Sequence, residues 1–425
     1  MPFIRIKAIA ICAALLSSAL SVAAQSVLGL QFPTGIPNDI SAGQARAMGG
    51  GGVGVQNHLN LINQNPANTG GLDKIAFGTL VNFDFLTIHD QNAYTNHVSV
   101  EPVYVGFGFP IGPAGAFSFS FDKRYDAQVK FSTTGSFESA LSASETITSF
   151  DSLQNAYSRN GGITVFQVGW AFDIKKLAFI GLTYERAYLS IDGTQLSYAF
   201  GQTLNSDGRL SAFSVSARDS AAVQGGFHGF RGGIQVPYKN FTFGLAGEYF
   251  FEDSVELFEA SHSSLGGIGV DSRETGVFQL APSVTVGASY RFDEKWLIAL
   301  DYGVTLWKYF DAPAYFIYSS AENAHSVSFG GEFFPAPNLL VSRYWEKLRY
   351  RAGFGFSQLP EDKSREWKIA VGTGLPVGGN GMFDITLTYG NRTSSTYEDY
   401  REEMFGISFS LVGSRKWGAT AKGSY

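Results

Sequence analysis

The chain has 425 residues, of which 16% are charged and 15% aromatic, with 50 glycines and a formal net charge of −6. Soluble domains carry roughly 25% charged residues, and no run of about 18 apolar residues follows the N-terminal leader, which excludes helical membrane spans. The acidic balance argues against nucleic-acid binding, and the single cysteine, Cys12, leaves no pair for a disulfide.

Arg5 and Lys7 form a basic start, Ala8 to Leu20 an apolar core, and Val22-Ala23-Ala24 a small-residue site. This is the pattern of a secretory signal peptide over residues 1–24, with cleavage before Gln25. Cys12 lies inside it, and the apolar run continues past it, unlike a lipoprotein site. Without the two leader cations the net charge is 29 − 37, or −8.

Residues 25–73 are rich in Gly, Asn and Ala and lack sustained alternation. Asn38–Ala47 reads as a short helix with Ser41 near its cap. From Lys74 to Val412 the pattern changes to period two. The predicted strands are Lys74–His89, Val98–Ile111, Gly115–Phe131, Gly162–Ile174, Lys176–Asp192, Gly226–Val236, Asn240–Ser254, Phe278–Phe292, Lys295–Phe310, Asn323–Phe334, Trp345–Ser357, Arg365–Val377, Gly381–Thr393 and Arg401–Val412. Tight turns at Gly112-Pro113-Ala114, Lys175, Pro237-Tyr238-Lys239, Asp293-Glu294, Pro335-Ala336-Pro337 and Gly378-Gly379-Asn380 alternate with long polar loops. The longest loops are Ser132–Gly161, Gly193–Gly225, in which Leu210–Val215 alternates weakly, and Val255–Val277.

An even number of aromatic-rich strands of spanning length, with short and long connections in alternation, predicts an all-β fold: a 14-stranded antiparallel transmembrane β-barrel. Two soluble β-domains would seldom combine this with a leader. Charges on the lipid face at mid-depth cost ~2–4 kcal/mol each. Asp84, Asp122, Gln167, Glu185, Glu248, Ser289, Arg291, Asp301, Glu332, Arg349, Arg351, Lys368 and Asp384 are therefore expected to face the lumen. Trp170, Trp296, Trp307, Trp345 and Trp367 are expected in the interfacial girdle.

A fourteen-stranded barrel encloses more space than its own side chains fill. Residues 25–73 are too few for an ordinary independent domain and are expected to plug that space. Glycines at 49–52 and 54 permit close approach to the wall, and Pro66 fixes a bend. The glycine run lacks the preceding strand and Lys-Ser/Thr of a phosphate cradle. The histidines His58, His89, His97, His228, His262 and His325 show no ligand spacing, and no Gly-x-Ser-x-Gly elbow is present. No cofactor, no metal and no enzymatic activity are expected.

The stretch Ala45-Arg46-Ala47-Met48-Gly49-Gly50-Gly51-Gly52-Val53-Gly54-Val55, followed by Asn65-Pro66-Ala67 directly before the first strand, resembles the hatch of the FadL-type long-chain fatty-acid transporter family, PorV-like relatives included. The resemblance covers nearly the whole mature chain. It implies an N-terminal plug (25–73) carrying the motif Asn65, Pro66, Ala67 inside a monomeric barrel (74–412), with a periplasmic tail (413–425). It also implies diffusive uptake of hydrophobic small molecules such as long-chain fatty acids or hydrocarbons across the outer membrane. The alternative within the family is a non-transporting barrel serving a secretion complex or a structural role. The implied partners are outer-membrane lipid, a hydrophobic ligand and the outer-membrane assembly machinery. Tyr425 is detached from the last predicted strand, unlike the closing aromatic of many barrels. No strand shows a kink by sequence.

Overall fold

A computed structural model describes residues 34–39, 43–57, 64–90, 93–135, 148–204, 210–263, 270–311, 322–335, 343–359, 364–377, 381–394 and 400–415. Ser41, His58, the predicted leader and most of the tail lie outside them. The N-terminal part contains strand β1 (Ile36–Pro37), helix α1 (Gly43–Ala47) and a 3-10 helix at Pro66–Gly71. Then follow β2 (Ile75–Asp90), β3 (Ala93–Pro110), β4 (Ala116–Asp126), β5 (Val129–Gly135), β6 (Thr148–Ile174), β7 (Ala178–Leu204), β8 (Leu210–Tyr238), β9 (Phe241–Phe250) and β10 (Asp253–Ser263). The remaining strands are β11 (Val270–Phe278), β12 (Ser283–Phe292), β13 (Trp296–Thr305), β14 (Ala324–Phe333), β15 (Arg349–Gln358), β16 (Arg365–Val377), β17 (Gly381–Thr393) and β18 (Arg401–Arg415).

All wall pairings are antiparallel, and β18 pairs with β2 through Arg401↔His89 to Arg415↔Ile75, which closes the sheet. Three wall strands are interrupted. β4 and β5 both pair with β6, β9 and β10 both pair with β8, and β11 leads into β12. Each interrupted strand counts once and β1 stands apart, so the wall has fourteen strands.

Closure joins the first and last wall strands and leaves side-chain pattern to decide the faces. In β13 Trp296, Ile298, Leu300 and Tyr302 are exposed, whereas Leu297, Ala299, Asp301 and Gly303 are buried. The exposed face is the apolar belt a bilayer requires. Three-residue hairpin loops at Lys175–Leu177 and Asp293–Lys295 place their first two residues at positive φ, a backbone twist that matches paired strands. No helix among the described residues is long and apolar enough to cross a membrane.

The structure corrects the sequence reading at several points. The predicted loops at 132–161, 193–225 and 255–277 are largely strand: β6, β7 and β8 run for 27, 27 and 29 residues, and β10–β11 form a hairpin. A bilayer needs only ~10 residues of tilted strand, so this side of the barrel projects well beyond it. The helix expected at Asn38–Ala47 is reduced to Gly43–Ala47, because Asn38 is engaged with a strand edge. Trp345 belongs to a 3-10 turn, not a strand. Trp307 is buried inside the barrel rather than in the girdle, because the chain leaves β13 in a 3-10 turn at Trp307–Tyr309.

Candidate functional site

The site is assembled from three parts: the N-terminal segment, a layered lumen, and a break in the wall. Asn65 is completely buried and caps the 3-10 helix that starts at Pro66. Its Oδ1 accepts from the Ala67 amide at 3.0 Å, and its Nδ2 donates to Val53 O at 3.0 Å and Ile234 O at 3.1 Å. One side chain thus joins two stretches of the segment to the wall. Gly233 and Gly181 make the room, since a Cβ on Gly233 would lie 2.0 Å from Asn65 Oδ1 and one on Gly181 2.4 Å from the Pro66 carbonyl carbon. Further round, Asp301 accepts from the Gly52 and Val53 amides at 2.6 and 2.8 Å, and Ser289 donates to Gly54 O at 2.7 Å. Met48 lies against Gly330 and Gly353, Gln44 donates to Glu332 at 3.1 Å, and Gly43 meets Asp384. The described part of the segment therefore packs on inward-facing residues from β7 to β18. The sequence expected inward polar groups; it did not reveal that Gln235, Asp301 and Ser289 bind the segment's backbone.

The inward face of β7 reads Gly181, Thr183, Glu185, Ala187, Leu189, Ile191. At the level of Glu185, Arg124 meets Asp122 at 3.0 Å and Glu185 at 3.4 Å, and Arg231 meets Glu248 at 3.0 Å and Glu185 at 3.4 Å. Gln167 donates to Glu185 at 2.8 Å. Buried charges persist only when paired and hydrogen-bonded in this way.

One turn of the alternation further toward the long strands the chemistry changes. Phe227, Phe250 and Phe278 are wholly buried. Ring centroids separate Phe250 from Phe227 by 5.4 Å, Phe227 from Phe278 by 5.3 Å, Phe278 from Phe310 by 5.5 Å, Phe310 from Trp307 by 5.3 Å and Trp307 from Tyr125 by 6.3 Å. Six aromatic rings make a continuous apolar track through the lumen.

The track ends at the wall break. β3 and β4 are paired only from Tyr104↔Asp122 to Pro110↔Ala116. Beyond Tyr104, β3 continues along β2 with a register shift at Leu80/Val81 and pairs on its other edge with no described strand. β4 loses its alternation there: from Asp122 to Val129 no residue is exposed, and the register shifts between Lys123 and Tyr125. The strand has left the wall surface and dipped inward. Its vacated edge is taken by β1 (Pro37↔Tyr125, Ile36↔Asp126) and by Asn38, whose amide donates to Arg124 O at 2.9 Å. Across the seam Lys123 holds Glu101 of β3 and Asp126 of β4, each at 2.9 Å. The one sequence signal was the loss of alternation after Phe121, in Lys123-Arg124-Tyr125-Asp126.

A cavity of 440 Å³ connects these parts. Tyr125, Trp307 and Ala246 give it an apolar side, Lys368 and Arg392 a charged side, and Ile36 to Asn38 with Ser99 its boundary at the seam. Both cations are paired, Lys368 with Asp39 and Arg392 with Glu366, at 2.5 Å each.

A family model described as BamG matches residues 248–422, less than half of the chain. No curated protein sequence matches. Among solved structures, a Pseudomonas aeruginosa FadL homologue superposes with a TM-score of 0.60 at 13% identity, covering 89% of this chain and 98% of its own. The P. putida toluene transporter TodX gives 0.57 at 17% identity, covering 89% and 99%. The monoaromatic hydrocarbon channel CymD gives 0.56 at 14% identity, covering 90% and 100%. The fold is that of the FadL-type outer-membrane barrels, and the apolar belt suits it to the outer membrane.

Proposed function

We propose that the protein takes up small hydrophobic molecules across the outer membrane by diffusion, without a cofactor, metal or catalytic step. The observation that carries this reading is the aromatic track that ends at the wall seam. An apolar molecule entering among the long strands passes from ring to ring, losing contact with water, and reaches the cavity beside Tyr125 and Trp307. Going straight on toward the short turns would press it through the ion-paired layer, whose charges cannot be separated cheaply in a dry interior. Sideways exit between β3 and β4 requires only that β1 and the Lys123 bridge yield. The N-terminal segment then acts as a plug held by Asn65-Pro66-Ala67, in a monomeric barrel placed by the outer-membrane assembly machinery. The likeness to transporters of toluene and monoaromatic hydrocarbons supports compact hydrocarbons as substrates. Long-chain fatty acids fit the same route, with the carboxylate meeting Lys368 or Arg392.

The seam is the part to test. With no cysteine beyond Cys12, Glu101→Cys combined with Lys123→Cys provides two unique thiols. Bridging them with a short thiol-to-thiol crosslinker is expected to abolish uptake of radiolabelled toluene and oleate, while each single variant treated alike keeps it. Full uptake by the bridged barrel would show that passage does not use the seam.

A second reading, a non-transporting component of a complex, is favoured by one observation. Among the described residues β5 and β11 each pair on one side only, which leaves the projecting sheet two edges unpaired by them. Free edges invite pairing with another chain. Unchanged uptake by cells lacking the protein would favour this reading.

A further inference from the structure

Arg186 stands at an unusual place. It lies on β7 between the outward-facing Leu182, Tyr184 and Tyr188, so it belongs to the lipid-facing side of the wall. A charge at mid-depth on that face costs ~2–4 kcal/mol, falling to ~0–1 near the interface. Position agrees: the apolar outward residues of β7 run from Ile180 to Tyr188 and are followed by Ser190 and Asp192. Arg186 therefore sits at the headgroup level on the side of the long strands.

Its surroundings are built for an anion. Some exposed arginines have carboxylates at hand: Arg273 meets Glu256 at 2.7 Å and Arg401 meets Glu403 at 3.0 Å. Arg186 makes no ion pair with any described residue, and its Nη1 is buried without a hydrogen-bond partner. The acids on the same strand, Glu185 and Asp192, are respectively turned inward to Arg124 and Arg231, and six residues further out. On the two strands paired with β7, Arg186 stands opposite Phe166 of β6 and His228 of β8, and the nearest acids along those strands are Asp173 and Asp219, well removed from both positions. The guanidinium lies over the Tyr188 ring, 5.6 Å from its centroid. Directly opposite on β8 is His228, whose Nδ1 is engaged by the Tyr184 hydroxyl, leaving Nε2 to face outward. Gly226 keeps the space open, since a Cβ there would come within 2.7 Å of Arg186 Nη2.

We propose that Arg186 and His228 hold a phosphate group of an outer-leaflet lipid against the outer wall between β7 and β8. The accessible edge of the guanidinium donates charge-assisted hydrogen bonds to phosphate oxygens, and the imidazole Nε2–H supplies another. Tyr184, Tyr188 and Phe230 provide the aromatic surface on which interfacial groups settle. The lipid then braces the wall at the base of the projecting strands. This inference is independent of transport.

The test uses the full-length barrel in nanodiscs, read by native mass spectrometry. The probes are bis-phosphorylated lipid A, the same lipid dephosphorylated, and inorganic phosphate. The wild type is expected to retain bis-phosphorylated lipid A in preference to the dephosphorylated form. Arg186→Gln is expected to bind it about tenfold or more weakly, the loss of a charge-assisted pair, and Arg186→Lys to keep part of the affinity. Heat-modifiable gel mobility confirms that each variant is folded. Equal retention by the wild type and Arg186→Gln, or no preference for the phosphorylated lipid, overturns the proposal. Displacement of lipid A by millimolar inorganic phosphate overturns the lipid assignment in favour of a free-phosphate site.

Discussion

Two layers of the same lumen, one or two inward positions apart on the same strands, have opposite chemistry. At Glu185, Arg231 and Glu248 the interior is a network of paired charges. At Ala187, Phe227 and Phe250 it is aromatic and dry. The contrast teaches how one cylinder can be both sealed and passable. Ion pairs in a low-dielectric interior are held by every partner they have, so parting them leaves an uncompensated charge. Aromatic contacts are individually weak, so a guest of the same chemistry can replace them ring for ring. The charged layer fits a barrier, the aromatic layer a path.

The sharpest way to break that comparison is to remove one charge. Arg231→Met leaves Glu185 and Glu248 sharing only Arg124. The expected loss is ~3–5 kcal/mol, measured as a lower urea midpoint in detergent micelles. Replacing the whole network with apolar residues of similar volume should cost far less, because no orphan charge remains. If Arg231→Met unfolds at the wild-type midpoint, the layer is not a coupled network.

Next in size is the anchor on the short-turn side of both layers. Asn65→Ala removes the donor to Val53 O and Ile234 O and the acceptor for the Ala67 amide. Unsatisfied buried groups cost ~1–3 kcal/mol, and hydrogen exchange at residues 52–69 should rise before any other part of the chain. Uptake of oleate or toluene should change as the segment loosens. Unchanged uptake would remove the segment from the mechanism.

How much of this was legible in the sequence follows from where the two faces of a strand differ. In β13 lipid lies on one side and Asp301 meets the segment on the other, so Trp296 to Tyr302 alternate plainly. The same contrast gave the hairpins at Lys175 and Asp293 and the even strand number. Beyond Leu189 on β7 and before Val223 on β8 the strands leave the bilayer. Residues such as Ser197, Gly201, Ser216 and Asp219 then no longer record a face, and the sequence reads as loop. The inward dip at Asp122–Val129 was hidden for the opposite reason, since both faces are covered and alternation has nothing to report. Asn65 was visible as a motif, but it meets the wall at the Ile234 carbonyl and at Gly233, which carry no side-chain signal.

The smallest expected effect tests the aromatic layer most directly. Phe227 packs on Phe250 and Phe278, with ring centroids 5.4 and 5.3 Å away, and joins them within the track. Phe227→Leu keeps an apolar side chain of similar size, so it should cost less than ~1.5 kcal/mol, seen as a small shift in the urea midpoint. The effect on passage should be selective. A flat aromatic guest loses an edge-to-face partner worth ~0.5–1.5 kcal/mol, whereas a flexible alkyl chain loses only a contact that leucine supplies as well. Toluene uptake is therefore expected to fall by up to about tenfold while oleate uptake holds, in competition assays with both labels present. Equal loss of both would mean that residue 227 merely shapes the wall. No loss of either would place the path elsewhere in the lumen.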